Sequence, residues 1–215
     1  MIPALGADPE APFPPPENAL EHPDGLLAWG GGLEPRRLER AYRSGIFPWY
    51  SDDEPILWWS PARRCVLPTD DVHCPRRLAR LMRQGRCRLT MDQDFGGVVD
   101  GCIEARDSTW ITPEMRTAYL RMHALGHGHS MEAWLDGELA GGLYGLAFGR
   151  LFCGVSMFSR RRVACKVVLV SLCRALCVWG FPWLDCQLCN PHLERMGARE
   201  LSREVYLARL PRLLA

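Results

Sequence analysis

The apolar residues of this chain recur with a helical period in several segments. Helices are predicted where apolar positions three and four apart follow a cap or a first-turn proline, as at Pro35 and at Thr112-Pro113. A long helix is predicted over 163–179, with Leu172 and Leu176 on one of its faces and Gly180 at its end. Six helices are predicted to begin near residues 34, 75, 112, 163, 190 and 202.

Other apolar stretches predict strands. Short strands are expected at 88–92 and 183–188. A meander is expected at 132–158, where Asp136-Gly137 is a strong two-residue hairpin signal. Residues 11–33 are rich in proline and glycine and are expected to form loop, and 45–61 is an aromatic segment without helical period.

The order of these elements predicts an α+β fold with a mixed sheet. A domain boundary is expected after the aromatic segment, so that a small N-terminal domain covers 1–62 and a second domain covers 63–215. The length of 215 residues allows one large domain or two modest ones.

The charge balance restricts how a nucleic acid could bind. The formal net charge is only +1, so such a partner would need a local basic patch. The helix that begins at Pro75 carries Arg76, Arg77, Arg80 and Arg83. Taken alone, this is more often a solvated face than a binding surface.

The cysteines and the apolar runs indicate the cellular compartment of the protein and whether the chain crosses a membrane. The ten cysteines are scattered, several of them in apolar runs, which favours a reducing cytoplasm over a secreted disulfide framework. The first twenty residues lack an apolar core, so we expect no signal peptide. The apolar stretch 167–184 is interrupted by Arg174, Gly180 and Pro182, which favours a core helix and a strand over a membrane span.

A structural zinc site is an alternative interpretation of four of the cysteines. Cys173, Cys177, Cys186 and Cys189 have the spacing C-x3-C-x8-C-x2-C, and zinc often binds four cysteines. The first pair lies on the apolar helix, which argues against a metal. His123, His127 and His129 lie around a helix end and are expected to be caps or surface groups, with no metal bound.

One short strand raises a question of chemistry. In WLDCQL, residues 183–188, a regular strand places Asp185 and Gln187 on one face, roughly 6.5–7 Å apart. The strand follows the predicted helix almost without a break, so it is expected inside the sheet, where a carboxylate needs a partner or must stay neutral. The pair could therefore line a cleft and handle a proton, or it could be purely structural.

Several longer segments together resemble the leucyl/phenylalanyl-tRNA–protein transferase family. They span most of the chain, and the combination of GIFPWYS, PILWWSP, SMFSR and DCQ is specific. The matching segments are FPPPENAL, PDGLLAWGGGL, RAYRSGIFPWYS, PILWWSP, TWITPEM, LGHGHSMEAW, GGLYGLAFG, LFCGVSMFSR and LDCQLCNPHLERMGARE.

The resemblance implies a cytoplasmic enzyme with a GNAT-like acyltransferase domain after the small N-terminal domain. It would transfer Leu or Phe, and possibly Met, from aminoacyl-tRNA to proteins with an N-terminal Arg or Lys, which marks them for degradation. Aminoacyl-tRNA is already an activated ester, so no metal or cofactor is expected, and no membrane partner is implied.

The resemblance also implies roles for individual residues. Asp185 and Gln187 are the expected catalytic pair. Phosphate contact becomes the better interpretation of the arginines at 76, 77, 80 and 83. An apolar aminoacyl pocket is expected from Leu143, Phe152, Leu172, Leu176 and Leu184. Trp49 and Trp110 are expected to stack on the terminal adenine, with Tyr119 as a hydroxyl partner, whereas Trp58 and Trp59 are expected in the core.

One position departs from the family pattern. Val155 stands where the family usually has Glu, so a cleft carboxylate is missing. A catalytically weakened tRNA-binding relative is therefore one alternative. An acyl-CoA-dependent N-acetyltransferase is another, but the glycine-containing pyrophosphate loop of such enzymes is not found near Arg195.

Overall fold

A first, small sheet occupies the N-terminal quarter of the chain. The computed structural model describes residues 2–105, 109–161 and 163–215. Within them, β1 (Ala4–Leu5), β2 (Leu26–Gly30), β3 (Phe47–Pro48) and β4 (Leu57–Trp59) form a sheet in the order β1-β2-β4-β3. A short 3-10 helix, Pro16–Asn18, precedes β2.

A larger, mixed sheet follows. Its strands are β5 (Arg63–Pro68), β6 (Arg88–Met91), β7 (Gly128–Leu135), β8 (Glu138–Phe148), β9 (Leu151–Ser159), β10 (Trp183–Gln187) and β11 (Arg199–Ser202). Their order is β11-β5-β10-β9-β8-β7-β6. β10 runs antiparallel to β5 and parallel to β9, so it lies inside the sheet as predicted. The predicted α+β fold with a mixed sheet is confirmed.

The helices agree with the predicted starts, with one addition. They are α1 (Pro35–Arg43), α2 (Arg76–Arg83), α3 (Phe95–Glu104), α4 (Pro113–Ala124), α5 (Ala164–Val178), α6 (Pro191–Arg195) and α7 (Arg203–Leu214). α3 was not predicted, because Gly96 and Gly97 weaken its helical signal. Asp94 caps it by accepting from the N–H of Gly97 at 2.9 Å.

Two further sequence expectations are wrong. Residues 11–33 are not all loop, since β2 lies within them. β5 and β11 were not predicted either. A half-exposed strand shows alternating apolar and polar residues. β2 is instead a short apolar run next to glycines, and β5 has two arginines followed by an apolar run.

The larger sheet is covered on both faces. α5 and α2 belong to one hydrophobic cluster, and α1, α3, α4 and α7 belong to another that includes the small sheet. Trp58, fully buried, is part of the second cluster, as expected. The chain passes from the small sheet to the large one between Trp59 and Arg63, and the domain division at 62/63 stays a prediction.

No helix in the described ranges has both the length and the apolarity to cross a membrane.

Candidate functional site

A central cavity lies where the aromatic N-terminal segment meets the end of β10. Its volume is about 220 Å³. It is lined by Tyr42, Phe47, Pro48, Trp49, Trp110, Val155, Cys186, Gln187 and Leu188. None of these side chains is an acid or a strong base, so the central cavity suits a flat, neutral group.

A second cavity, here called the leucine cavity, adjoins the central one. Its volume is about 150 Å³. It is lined by Leu143, Gly154, Val155, Ser156, Met157, Leu169, Leu184, Cys186, Gln187, Leu188, Asn190 and Leu193. Val155, Cys186, Gln187 and Leu188 line both cavities, so Gln187 lies at their junction.

A third cavity, here called the acidic cavity, lies on the other side of the central one. It is the largest of the three, at about 720 Å³. It is lined by Pro23, Leu26, Trp49, Tyr50, Ser51, Asp52, Glu54, Leu57, Trp59, Thr109 and Trp110. Trp49 and Trp110 also line the central cavity. Trp59 was expected in the core but is partly exposed on this wall.

A β-bulge at the end of β10 directs Gln187 to the cavities. Asp185 pairs with Val66 of β5 and Gln187 pairs with Cys65, which leaves Cys186 as an extra residue. Gln187 has a φ of 59°, a left-handed conformation that is uncommon outside glycine. The expectation that Asp185 and Gln187 share one face of a regular strand is therefore wrong.

Asp185 is fully buried and is absent from the lining of all three cavities. Its carboxylate accepts from Arg64 Nε at 2.8 Å, Arg64 Nη2 at 2.7 Å, Tyr206 Oη at 2.8 Å, Gln187 N at 3.0 Å and Cys153 Sγ at 3.4 Å. These donors use the roughly four lone-pair sites of a carboxylate. The expectation that Asp185 projects into the cleft is wrong, because the protein itself satisfies it.

Arg64 links Asp185 to the opposite wall of the central cavity. Its Nη1 donates to Gly45 O at 3.0 Å, and its guanidinium lies 5.0 Å from the ring centroid of Phe47. Burial alone lowers the pKa of Arg64, but Asp185, followed by Tyr206, raises it by more, so the guanidinium stays charged. The Arg64–Asp185 ion pair therefore ties the segment around Phe47 to the strand that carries Gln187.

Gln187 supplies the available polar group at the junction. Its Nε2 donates to Asp185 O at 3.1 Å, and no described residue donates to its Oε1 within hydrogen-bond distance. Burial raises the pKa of the neighbouring Cys186 thiol well above its ordinary value, and Asp185 raises it further. Because Cys186 stays protonated near neutral pH, it is a poor nucleophile. Gln187 Oε1 is thus positioned to accept a hydrogen bond from an amine.

The structure brings only two residues of the predicted apolar pocket to a cavity, and their role in binding stays a prediction. Leu143 and Leu184 line the leucine cavity. Phe152, Leu172 and Leu176 do not: each is 1% exposed and packs in the core between α5 and the sheet. The helical spacing of Leu172 and Leu176 fits core packing as well as a pocket wall, and the structure places them in the core.

Of the aromatic residues predicted to bind the adenosine, the structure likewise places only some at a cavity. Trp49 and Trp110 line the central cavity, and Trp49 is 42% exposed, so its ring surface is accessible. Tyr119 is fully buried, and its hydroxyl lies 2.7 Å from the hydroxyl of Tyr42. Tyr42, and not Tyr119, reaches the central cavity, because Tyr119 stands behind it.

The arginines of α2 form an exposed basic face. Arg76, Arg77, Arg80 and Arg83 are all exposed, and none lies within ion-pair distance of a carboxylate in the described part of the chain. Their charge is therefore not neutralised by neighbouring side chains. The role of this face in binding RNA stays a prediction.

The cysteines and histidines give no support to the zinc alternative. Cys189 forms a disulfide with Cys65, 124 positions away, which was not expected from the sequence. Nowhere in the described ranges do three potential ligands come close enough to hold a metal ion. His123 Nδ1 lies 2.7 Å from Gly128 O, and His129 Nδ1 lies 2.8 Å from Asp92.

The sequence interpretation missed the residues that support the site. Arg64 and Tyr206 hold Asp185, and a signal was available for Arg64, because an arginine next to the apolar run CVLP needs a buried partner. Tyr42, Met157 and Leu169 gave no comparable signal. They are brought to the cavities by the packing of α1, β9 and α5.

Comparisons with known proteins agree over most of the chain. The family model described as leucyl/phenylalanyl-tRNA protein transferase matches residues 66–211, and the model of its N-terminal domain matches 31–62. The leucyl/phenylalanyl-tRNA–protein transferase of Chromobacterium violaceum is 52% identical over 213 residues, which cover 98% of this chain and 91% of that protein. The protein of that name from Pseudomonas putida is 54% identical over 194 residues, which cover 89% and 86%.

A solved structure of a GCN5-related N-acetyltransferase from Kribbella flavida matches 78% of this chain and 61% of its own, with 10% identity and a TM-score of 0.41. The matches to both family models, and relatives at this identity over nearly the full length, carry the assignment. The chain belongs to the leucyl/phenylalanyl-tRNA–protein transferase family.

Proposed function

We propose that this protein transfers leucine or phenylalanine from aminoacyl-tRNA to the N-terminal Arg or Lys of acceptor proteins, in the cytoplasm, where charged tRNA is available. The names of its relatives support the donor and the protein acceptor. The observation that carries the proposal is the junction at Gln187. There a cavity lined by leucines meets a cavity lined by aromatic rings, beside an amide oxygen that can accept from an amine.

The donor fits across the two cavities. The leucine or phenylalanine side chain enters the leucine cavity, where apolar burial contributes about 1.5–3 kcal/mol. The terminal adenosine enters the central cavity and stacks on Trp49 or Trp110, for about 1–3 kcal/mol. The ester carbonyl then lies near Gln187. The basic face of α2 contacts phosphates of the tRNA body.

The chemical step needs an amine beside the ester. The α-amine of the acceptor donates to Gln187 Oε1, which aims the nitrogen lone pair at the ester carbonyl carbon. The new C–N bond forms, the bond from that carbon to the ribose oxygen breaks, and the ribose oxygen takes up the proton that the nitrogen loses. Positioning of this kind can contribute about 7–11 kcal/mol.

Asp185 acts as a positioning residue in this proposal. It accepts from the backbone N–H of Gln187 at 3.0 Å, and its own carbonyl oxygen holds Gln187 Nε2 at 3.1 Å. Both contacts fix the left-handed turn that presents Gln187 Oε1. Because its carboxylate is buried and fully hydrogen-bonded, Asp185 influences the amine through Gln187 and does not take the proton directly.

Val155 bears on the alternatives. It lines the central and leucine cavities next to Gln187, so a carboxylate at this position would face the reacting groups. The absence of a carboxylate at position 155 is the reason for the alternative of a catalytically weakened tRNA-binding relative. The N-acetyltransferase alternative is not favoured by the family matches.

A transfer assay tests the proposal. Labelled leucine is followed from charged tRNA to a peptide with N-terminal Arg, and acetyl-CoA turnover is measured in parallel. Labelled peptide without acetyl-CoA turnover supports the proposal. Tight binding of charged tRNA with no labelled peptide identifies the weakened relative, and acetylated peptide identifies the acetyltransferase.

A further inference from the structure

The donor, as placed above, leaves the acidic cavity without an occupant. Three indoles, those of Trp49, Trp59 and Trp110, share its wall with the carboxylates of Asp52 and Glu54. None of the described residues that line it is basic. At about 720 Å³ it is more than large enough for one long side chain. An aromatic wall with two carboxylates and no cation is complementary to a positive charge.

The 51–54 turn holds the carboxylate of Glu54 in place. Glu54 N donates to Ser51 O at 3.0 Å, and Ser51 N donates to Glu54 Oε2 at 2.9 Å. In the ranges that the structure describes, no Arg, Lys or His lies within ion-pair distance of Asp52 or Glu54. Burial raises the pKa of Tyr50, and the carboxylates of Glu114 and Asp52 raise it further, which agrees with a negative potential there.

We propose that the acidic cavity receives the cationic side chain of the acceptor's first residue, an inference that rests on the transfer reaction proposed above. Trp49 and Trp110 line both this cavity and the central one, which contains Gln187. An acceptor whose α-amine contacts Gln187 can therefore extend its side chain along whichever of the two indoles the adenine does not cover. A guanidinium or ammonium group there meets ring faces and carboxylates. RNA phosphates would be repelled by the same carboxylates.

The test compares two peptides that differ only in the charge of the first side chain. One begins with arginine and the other with citrulline, its neutral analogue, so both present the same α-amine. The protein variants are Asp52→Asn, Glu54→Gln and the double variant. Asp53→Asn is the matched control, because Asp53 is an exposed carboxylate of the same turn that does not line the cavity.

We expect the preference for arginine over citrulline, measured as kcat/KM, to fall about two- to fivefold in each single variant. The double variant should lose about tenfold, with an unchanged KM for aminoacyl-tRNA. Asp53→Asn should keep the wild-type preference. An unchanged preference in the double variant overturns the proposal. A raised KM for aminoacyl-tRNA with an unchanged peptide preference also overturns it and assigns the cavity to RNA.

Calorimetric titration of the two peptides, without tRNA, separates this inference from the transfer reaction. Tighter binding of the arginine peptide to the wild type, lost in the double variant, supports the subsite even if the wild type transfers nothing. Equal binding of both peptides to the wild type overturns the subsite even if transfer is observed.

Discussion

Asp185 and Arg64 form a bidentate ion pair inside the protein, with N–O distances of 2.7 and 2.8 Å and both side chains at most 1% exposed. The pair joins β10 to β5, and Arg64 Nη1 also donates to Gly45 O, two residues before Phe47. It therefore connects the strand that carries Gln187 to the segment that carries Phe47. The residue that resembles the family's catalytic acid is, in this structure, part of the framework that orients Gln187.

The ion pair makes a prediction about stability. Asp185→Asn keeps the size of the side chain but leaves the buried Arg64 guanidinium without its counter-charge, which we expect to cost about 3–5 kcal/mol of unfolding free energy. Asp100→Asn breaks the half-exposed Arg116–Asp100 pair, at 2.6 Å, and is expected to cost under about 1 kcal/mol. Urea unfolding of both variants measures this difference. Equal losses would contradict the framework role of Asp185.

Val155 allows a gain-of-activity experiment. Val155→Glu places a carboxylate beside Gln187, where it can accept a proton from the attacking amine, and we expect transfer to rise about tenfold. Val155→Gln has the same shape without the charge and is expected to give no such gain. The single-turnover transfer rate measures the effect. Equal rates in the two variants would show that the missing carboxylate does not limit this enzyme.

The basic face of α2 predicts a salt effect. If Arg76 and Arg80 contact phosphates, replacing both with Ala removes two counterion-releasing contacts and lowers the slope of log K against log salt by about 1.8. Arg212→Ala removes an exposed arginine from α7 and serves as a control for general charge. Binding of charged tRNA is measured over a series of salt concentrations. A wild-type slope in the double variant would exclude this face from the RNA contact.

The disulfide predicts a dependence on redox conditions. Cys65 and Cys189 close a loop across 124 positions, so reduction, or Cys189→Ser, is expected to lower the unfolding free energy by about 2–4 kcal/mol. Cys177 is a free, exposed cysteine, and Cys177→Ser should leave the stability unchanged. Urea unfolding with and without a thiol reductant measures the difference. Alkylation of both Cys65 and Cys189 in the unreduced protein would contradict the pairing.

The sequence correctly predicted the structural features that are determined by residues close together in the chain. The caps at Thr112 and Ser202 accept from backbone N–H groups at 3.1 and 3.3 Å, as their helix starts require. The meander and the central position of β10 followed from similarly local patterns. α3 was not predicted because its three glycines, Gly96, Gly97 and Gly101, weaken the local signal of a helix that tertiary packing stabilises.

The site was predicted less completely than the fold, since it depends on contacts between distant residues. Arg64 and Asp185 are 121 positions apart, and neither one identifies the other in the sequence. The β-bulge that separates Asp185 from Gln187 depends on how β10 pairs with β5. The sequence pattern assumes a regular strand, in which residues two apart share a face, so it predicts Asp185 and Gln187 on one face and does not reveal the bulge.

The central claim is that Gln187 presents the amine to the ester at the junction of the central and leucine cavities. The single-turnover rate of leucine transfer by Gln187→Ala, at saturating charged tRNA, tests it most directly. We predict a loss of about 10²-fold or more, because the amine is no longer positioned. The unfolding free energy should stay within about 1 kcal/mol of the wild type, because Gln187 is partly exposed and the variant loses one hydrogen bond, from Nε2 to Asp185 O. A folded Gln187→Ala variant that transfers leucine at the wild-type rate would contradict the claim.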